Sequence, residues 1–369
     1  MIGRDTGAAF GALIVLVASA SVIGTVVVPR AVRSRLIVGV NWLVGLFFLC
    51  LARAISDARR RDSALAPWPA TLLMAQLFVW LAAFLVGFGL LLLPFTSRGF
   101  GHALAEAGSD MTTIGFVFSK GPAAEIIAVI AAFAALGTIA LQIGYLPALY
   151  TAYNRRETQV SLLAARAGVP TWGPELLART HYGLGTGIST IATMGEFYAE
   201  WERWAAEVTE SHATYLPLVY FRSPRPLSSW VTSLLAVLDS AALFLALSPS
   251  TAPVIPARLC LRAGFVCFTR VALAMGFDVP EEADPSTGIA ITYEEFLDAI
   301  ARLQRVDFEI ERTPEEAWPH FVGWRVNYEQ AAFAIAGAIF APPALWSGSR
   351  RIRVEPIPPL RPPDRTPRS

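Results

Sequence analysis

The segment Thr112-Thr113-Ile114-Gly115-Phe116 combines two neighbouring hydroxyl side chains with a glycine, in a part of the chain that is otherwise strongly apolar. A short helix is predicted before it, over Gly101–Met111, and long apolar runs lie on both sides, over Leu72–Phe95 and Ile126–Leu149. Glycine permits backbone angles that are closed to residues with a β-carbon. Non-helical backbone is tolerated at membrane depth only where it is buried in protein or lines a water-filled cavity. A short helix and an extended segment between two membrane-spanning runs form the layout of a pore loop.

The composition indicates a membrane protein with a soluble tail. The chain has 369 residues, of which 54% are hydrophobic and 16% charged, whereas about 25% are charged in a typical soluble protein. The apolar excess is concentrated before Tyr150. The net charge of +1 gives no reason to expect nucleic acid as a partner. Cys50, Cys260 and Cys267 lack metal-ligand spacing, so we expect reduced packing residues rather than a disulfide or a zinc site.

Four membrane spans are predicted, with the amino terminus inside. A span requires about 20 apolar residues, and four runs approach or exceed that length: Phe10–Val28, Leu36–Ala52, Leu72–Phe95 and Ile126–Leu149. The second run is short and contains Asn41, so it either spans the membrane or lies at the interface. Ser229–Leu247 is apolar enough for a fifth span, but it contains Asp239 and several serines. We therefore expect that helix to be buried in a soluble bundle.

The distribution of arginine predicts the orientation, because cytoplasmic loops are enriched in Lys and Arg. Residues 59–61 are all arginine, and Arg155-Arg156 follows the fourth run. Both ends of the hairpin that carries the pore loop are therefore predicted to be cytoplasmic, in the plasma membrane. A further cluster, Arg30, Arg33 and Arg35, would then face outward. Either this cluster is tolerated there, or the second apolar run does not span.

Four regions are expected along the chain. Transmembrane helices occupy residues 1–66, a pore module occupies residues 67–153, and a cytosolic helical domain occupies residues 154–350. Residues 351–369 are rich in proline and lack the apolar residues that a core requires, so this tail is predicted to be disordered. The predicted fold class is an all-α membrane protein with a pore-loop module and a cytosolic α-helical domain.

Several short motifs outside the pore loop carry a family resemblance. They are Gly144-Tyr145-Leu146-Pro147 with Asn154-Arg155-Arg156-Glu157, then Ser161–Gly168, then Trp201–Glu207 with Glu210-Ser211-His212. Together with the pore loop they resemble an actinobacterial branch of the pore-loop potassium channel superfamily, over residues 10–275. The filter of such channels reads Thr-Val/Leu-Gly-Tyr/Phe-Gly-Asp. Val117 and Phe118 stand here in place of the second glycine and the aspartate.

The resemblance implies a passive channel for potassium or another monovalent cation, embedded in the lipid bilayer. Backbone carbonyls and a ring of threonine hydroxyls replace the hydration shell of the ion in such a filter. One pore loop per chain then requires a homotetramer. The residues implied in the ion pathway are Thr112 and Thr113 through their hydroxyls, Ile114, Gly115 and Phe116 through their carbonyls, and Val117 at the outer end. No cofactor and no resident metal are expected.

Val117 is the main departure from the family pattern. If this position needs a left-handed backbone, a β-branched residue costs about 1–3 kcal/mol there, so the outer half of the filter is expected to take another shape. Phe118 also lacks the carboxylate that bonds behind the filter, and Lys120 adds a positive charge near the outer mouth. Two hypotheses stay open: a conducting pore with altered selectivity, or a non-conducting membrane-anchored scaffold or sensor. An ordinary connecting loop is a third interpretation of the segment.

Residues of the fourth run offer further candidates. Gly137 and Gly144 either act as gating hinges or allow close packing between helices. Gln142 is the strongly polar side chain of the inner half of the run, so it is a candidate pore-lining residue. Lys120 and Glu125 are expected at the outer mouth. Glu125 is either an interfacial residue, which is the preferred interpretation, or part of an acidic ring.

Two alternatives remain open for Asp110 on the pore helix. It either faces the ion cavity or pairs with Ser119 or Lys120 behind the filter, and the pairing is the preferred interpretation. A carboxylate facing the cavity would attract cations, whereas a paired carboxylate would only stabilise the loop.

Catalysis is not predicted for the carboxyl-terminal region. His181, His212 and His320 are scattered, and no nucleophile–base pair stands out. The glycine-rich segment Gly183–Gly187 follows no predicted strand, so a nucleotide-binding loop is poorly supported. The sequence therefore favours a channel or a membrane-anchored scaffold over an enzyme.

Overall fold

The computed structural model describes residues 2–28, 34–117, 121–181, 190–280, 283–284, 287–347 and 355–360. Across these ranges the chain is helical and contains no β-strand, which confirms the predicted all-α class. The chain divides into two compact units. Unit 1 comprises Met1–Cys50 with Pro67–Thr151, and unit 2 comprises Leu51–Ala66 with Ala152–Ser369.

The described residues of the first part of the chain form six helices: α1 (Ile2–Val22), α2 (Arg35–Ala54), α3 (Ala58–Leu65), α4 (Trp68–Leu92), α5 (Phe100–Met111) and α6 (Pro122–Ala167). A π-helical turn, Ile23–Val27, continues α1, and a 3₁₀ turn, Leu93–Phe95, ends α4. Local chemistry sets several of the boundaries. Asp57 caps α3 by accepting a hydrogen bond from the Arg60 N–H at 2.8 Å. Gly99, with a φ of 83°, precedes α5 in a conformation that favours glycine.

The core of unit 1 forms along one face of α4. Trp80, Phe84 and Phe88 lie one turn apart and are buried together with small residues of α1 and α5. The α1 and α4 backbones approach so closely that a β-carbon on Gly11 would lie 2.5 Å from the Gly87 carbonyl oxygen. Small residues allow this kind of close helix packing in membranes.

Five helices of the described chain are long and apolar enough to cross a membrane: Arg4–Val27, Arg35–Ala54, Ala58–Phe95, Pro122–Ala167 and Trp230–Leu247. Large apolar side chains are exposed along the first four, among them Trp42, Phe78 and Phe133. The fifth differs, because all of its residues are buried within unit 2. As the sequence favoured, it is a buried helix with no apolar face left for lipid.

Helix α6 is longer than the sequence suggested. The sequence predicts an end near Leu149, closed by Arg155 and Arg156, but the helix runs through Pro147 to Ala167 without a break. That prediction is wrong because one proline removes only one helical hydrogen bond, and the following residues are mostly good helix formers. At 46 residues and 1.5 Å per residue, α6 measures about 69 Å, well beyond a hydrocarbon core of about 30 Å.

Unit 2 adds seven helices: α7 (Gly173–Ala178), α8 (Met194–Thr214), α9 (Pro217–Tyr220), α10 (Trp230–Leu247), α11 (Val254–Met275), α12 (Tyr293–Gln304) and α13 (Pro314–Ala338). The buried α10 is central and packs against α7, α8, α11 and α13. Thr292 and Thr313 each begin a helix with a capping box, which satisfies two terminal N–H groups reciprocally. Cys260 and Cys267 are buried free thiols, as expected for packing residues.

Several of the charges buried in unit 2 are paired, which offsets the cost of their desolvation. Asp239, the acidic residue of the apolar α10, accepts hydrogen bonds from Arg325 and from the Tyr328 hydroxyl, the latter at 2.8 Å. Glu175 pairs with Arg302 at 2.8 Å and with Arg179 at 3.0 Å. These pairs explain how polar residues lie inside an apolar bundle.

Residues 355–360 are the described part of the proline-rich tail. The Leu360 N–H donates to the Val169 carbonyl at 2.9 Å, and the Ile357 N–H donates to the Pro343 carbonyl at 2.7 Å. Disorder of the remaining tail stays a prediction, because those residues lie outside the described ranges.

Candidate functional site

The segment after α5 turns sharply at two left-handed residues. Thr112 still has helical backbone angles, with φ −86° and ψ −5°. Thr113 and Gly115 then have positive φ values of 58° and 71°. The prediction of an extended segment after α5 is therefore wrong, because the backbone is left-handed at Thr113 and Gly115.

Four successive N–H groups of this segment converge on one residue, Ser109, in the last turn of α5. The N–H groups of Ile114 and Gly115 donate to the Ser109 carbonyl oxygen, at 3.1 and 3.5 Å. Those of Phe116 and Val117 donate to the Ser109 hydroxyl oxygen, at 2.8 and 3.2 Å. Ser109 is fully buried, so the convergence point is enclosed by protein.

This convergence fixes the direction of four carbonyl groups. In a trans peptide the N–H and the preceding C=O point in opposite directions. Because the N–H groups of residues 114–117 point at Ser109, the carbonyls of residues 113–116 point away from it. No described residue donates a hydrogen bond to these four carbonyls. The segment therefore presents a row of consecutive acceptor oxygens on the side opposite α5.

The backbone strain of this segment lies at Thr113 and not at Val117. Val117 does not have a positive φ, so the outer end takes a shape that a β-branched residue tolerates. Thr113 instead carries the left-handed angle, at a cost of about 1–3 kcal/mol. Gly115 is needed for its conformation rather than for space, because a β-carbon there would meet nothing within 4 Å.

The threonine hydroxyl at the start of the segment is oriented by α5. The Thr112 hydroxyl donates to the Gly108 carbonyl at 2.7 Å. Its proton is thus used inside the helix, and its oxygen offers only lone pairs to other groups. The carboxyl-terminal end of α5 adds the negative end of the helix dipole at this point.

Carboxylates lie on α5 behind the segment. Glu106 is buried, and one carboxylate oxygen of Asp110 is buried without a hydrogen-bond partner among the described residues. The partners that the sequence offers for Asp110 are Ser119 and Lys120. Both lie outside the described residues, as does Phe118, so that pairing and the outer-mouth role of Lys120 stay predictions.

The candidate residues of α6 fall on two faces. Gln142 is buried within the chain, on the same face as Thr138 and Tyr145. Gly137 and Gly144 are exposed, and a β-carbon at either position would meet nothing within 4 Å. No neighbour in the described part of this chain therefore requires a small residue at the two glycines. Glu125 is exposed in the first turn of α6.

A second cluster of polar groups, in unit 2, surrounds residues 218–222. The buried Arg156 donates to the carbonyls of Leu218 and Phe221, each at 2.8 Å, and pairs with Glu157 at 2.8 Å. The Tyr153 hydroxyl donates to the Arg222 carbonyl at 3.0 Å.

The Arg222 side chain continues this cluster toward α3. It pairs with Asp62 at 2.9 Å and donates to the Phe340 carbonyl at 3.1 Å. Helix α3 and the chain after α13 are thereby both tied to residues 218–222.

His212 is held neutral in this cluster. Arg156 approaches the His212 Nε2 at 3.0 Å, and because a guanidinium only donates, Nε2 must be the acceptor. The other ring nitrogen lies 3.0 Å from the Ser211 hydroxyl. Burial, followed by the charge of Arg156, lowers the pKa of His212 well below 6.5.

Sequence reasoning missed both organising residues. The signal for Ser109 is weak: a small polar residue one helical turn before Thr113, on a helix face that also contains buried Glu106. Arg156 looks like a membrane-interface arginine, because Arg155 precedes it and a long apolar run ends just before. Its burial becomes visible only when α8 and α9 are placed around it.

The row at residues 113–116 consists of acceptor oxygens, which are chemically able to bind a cation. Carbonyl and hydroxyl oxygens are the groups that replace water around a dehydrated alkali cation. No family model matches the chain, and no curated protein or solved structure shows significant similarity to it. The short motifs of the sequence and the geometry of residues 109–117 are therefore the observations that bear on function.

Proposed function

We propose that the chain is a passive channel for potassium or another monovalent cation, assembled as a homotetramer in the plasma membrane. The observation that carries this proposal is the row of four carbonyls at residues 113–116, all directed away from Ser109. Each chain has one such segment, so a closed ring of oxygens requires several copies around an axis. Rings of backbone carbonyls of this kind conduct by replacing the hydration shell.

Unit 2 is proposed to be cytoplasmic, where it biases the opening of α6 or holds the tetramer together. The arginines at residues 59–61 and 155–156 support this orientation through the positive-inside rule. The length of α6 supports such a coupling. The same continuous helix contains the apolar run after the proposed pore loop and the buried Arg156 of unit 2.

A second candidate is a non-conducting membrane-anchored scaffold or sensor. The observation that favours it is Val117, whose φ is not left-handed. Left-handed residues stand at alternate positions at Thr113 and Gly115, where they direct the carbonyls of the row. Val117, the next alternate position, does not continue this pattern. In that case the protein would act through unit 2 and would carry no current.

Two measurements separate the candidates. The purified full-length chain in liposomes is expected to release potassium down its gradient, and Val117→Gly is expected to raise the potassium flux. No flux from either protein would favour the scaffold. The mass of the particle in detergent is expected to correspond to four chains, and a monomer would exclude the carbonyl-ring mechanism.

A further inference from the structure

We infer that Ser109 is a positioning residue that anchors the two halves of the carbonyl row through two different atoms, so that its hydroxyl sets ion selectivity. This inference rests on the proposed function and names the residue that controls the same site. The inner half comprises the carbonyls of Thr113 and Ile114, and the outer half those of Gly115 and Phe116.

Each half depends on a different oxygen of Ser109. The Ser109 carbonyl accepts from Ile114 and Gly115, and those N–H groups belong to the peptides that carry the inner carbonyls. The Ser109 hydroxyl accepts from Phe116 and Val117, whose peptides carry the outer carbonyls. Every residue type has a main-chain carbonyl, so only the outer half requires a hydroxyl at position 109.

The Ser109 hydroxyl accepts main-chain N–H groups, whereas several other hydroxyls on the helices of this chain donate within their own helix. In these cases a serine or threonine donates to the carbonyl four residues earlier. This holds for Thr112, Thr138, Thr151, Thr158 and Ser211. The Ser109 hydroxyl instead accepts two N–H groups from outside α5, which uses both of its lone pairs. Such an oxygen is a structural anchor for the segment rather than a solvated helix substituent.

The outer half has no other anchor among the described residues. Val117 is not left-handed, so a regular alternation of backbone angles cannot hold the outer carbonyls in line. Without the hydroxyl, the N–H groups of Phe116 and Val117 would lose their acceptor, and the two outer carbonyls would rotate. Ion binding at the inner carbonyls would persist while discrimination between cations of different size would fall.

Residue-resolved amide hydrogen exchange on the detergent-solubilised full-length chain tests the anchoring directly. In Ser109→Ala, the amides of Phe116 and Val117 are expected to exchange at least tenfold faster, on the order of the effect of one lost hydrogen bond. The amides of Ile114 and Gly115 should be unchanged. Ser109→Thr, which keeps the hydroxyl, should restore slow exchange at both outer amides. Equal acceleration of all four amides, or of none, would overturn the inference.

The potassium-to-sodium flux ratio in liposomes tests the consequence for selectivity. Ser109→Ala is expected to keep potassium flux but to lower the ratio about tenfold, and Ser109→Thr should preserve it. The matched control is Thr138→Val, which removes another buried hydroxyl of unit 1 whose bond stays within its own helix. An unchanged ratio in Ser109→Ala would refute the selectivity role. A wild-type chain without flux would refute the proposed function instead, while the exchange pattern would still decide the anchoring.

Discussion

Residues 113–117 of unit 1 and residues 218–222 of unit 2 are both short segments that follow or include a helix end, and they use their main-chain groups in opposite ways. In the first, four N–H groups donate hydrogen bonds to Ser109, and the carbonyls of residues 113–116 receive no hydrogen bond from the described residues. In the second, the carbonyls of Leu218 and Phe221 receive the guanidinium of Arg156, and that of Arg222 receives the Tyr153 hydroxyl.

The difference shows how one chain builds two kinds of segment. Residues 113–117 form the open segment, whose carbonyl oxygens receive no donor from the described residues. Residues 218–222 form the closed segment, whose carbonyl oxygens accept hydrogen bonds from side chains. Buried carbonyls must find donors, so a segment folded inside protein needs a group such as Arg156. Where the protein supplies its own cation, the oxygens are satisfied and the segment is structural. Where it satisfies only the N–H groups, the oxygens remain available to a cation from outside. The position of one fixed charge therefore distinguishes the two kinds of segment.

Residues 218–222 also bond to two helices, α3 and α6, at which the chain passes between the units. Residues 67–151 are joined to unit 2 through α3 and α6. Asp62 of α3 and Arg156 of α6 both bond within residues 218–222. A displacement of this segment would therefore act on Asp62 and Arg156 together.

The largest effect is expected from removing the fixed cation of the closed segment. Arg156→Met leaves Glu157 without its partner and leaves the carbonyls of Leu218 and Phe221 without donors. Loss of one partner from a buried ion pair costs about 3–5 kcal/mol. We expect a corresponding fall in the free energy of unfolding of unit 2, measured by denaturant titration of the intrinsic tryptophan fluorescence.

Arg155→Met is the matched control, because Arg155 is the exposed neighbour of Arg156 on the same helix. It removes the same charge and should change the free energy of unfolding by less than about 0.5 kcal/mol. Arg156→Lys should fall between the two, since an ammonium cannot reproduce the fork of the guanidinium. Equal stability of the Arg156→Met and Arg155→Met proteins would show that the closed segment does not depend on this charge.

A smaller effect is expected from disturbing the open segment. Gly115→Ala places a β-carbon on a left-handed residue, which costs about 1–2 kcal/mol per chain, and relief of that strain would turn a carbonyl out of the row. We expect a large loss of cation flux with the protein still folded. The measurement is potassium release from liposomes at matched protein density.

Gly99→Ala controls for strain alone. Gly99 also has a left-handed φ, and a β-carbon there would likewise meet nothing within 4 Å, but it precedes α5 rather than following it. Flux should be retained in this variant. If both substitutions reduced flux to the same extent, the effect would be general strain on α5 and the carbonyl row would lose its special role.

The neutral His212, which lies on α8 and contacts Arg156, predicts a dependence of stability on pH. The pKa of His212 is lowered in the folded protein, first by burial and then by Arg156. The unfolded chain therefore binds the proton first. The stability contribution is complete above about pH 6.5 and declines as the pH falls below that value, by at most about 1.4 kcal/mol per pH unit.

His212→Gln should flatten this decline between about pH 6.5 and pH 5. The measurement is the unfolding midpoint in denaturant at a series of pH values. His320→Gln is the control, because His320 is exposed in α13. A His212→Gln protein that loses stability with acid as steeply as the wild type would place the responsible group elsewhere.

The sequence predicts the helices well and the polar networks poorly, for physical reasons. Long apolar runs such as Leu72–Phe95 can be only helices at membrane depth, so their positions follow from composition. The direction of the carbonyl row depends on a left-handed Thr113, which the propensity of a β-branched residue opposes. The burial of Arg156 depends on α8 and α9, which are distant in sequence. Neither feature leaves a local pattern that could have been recognised.

The smallest effect concerns the exposed glycines of α6, and it distinguishes the two interpretations of Gly137 and Gly144. Neither glycine has a neighbour within reach of a β-carbon in this chain, so Gly137→Ala and Gly144→Ala should raise the stability of the isolated chain by about 0.5–1 kcal/mol through helix propensity. Gly87→Ala is the contrasting control, because its β-carbon would lie 2.8 Å from a Val15 methyl group and should destabilise unit 1.

If the Gly137→Ala and Gly144→Ala variants dissociate the detergent-solubilised oligomer, the glycines pack between copies. If the oligomer persists and only the rate of channel opening falls, α6 bends at these positions, and the open segment is gated by a flexible helix rather than by a close-packed one.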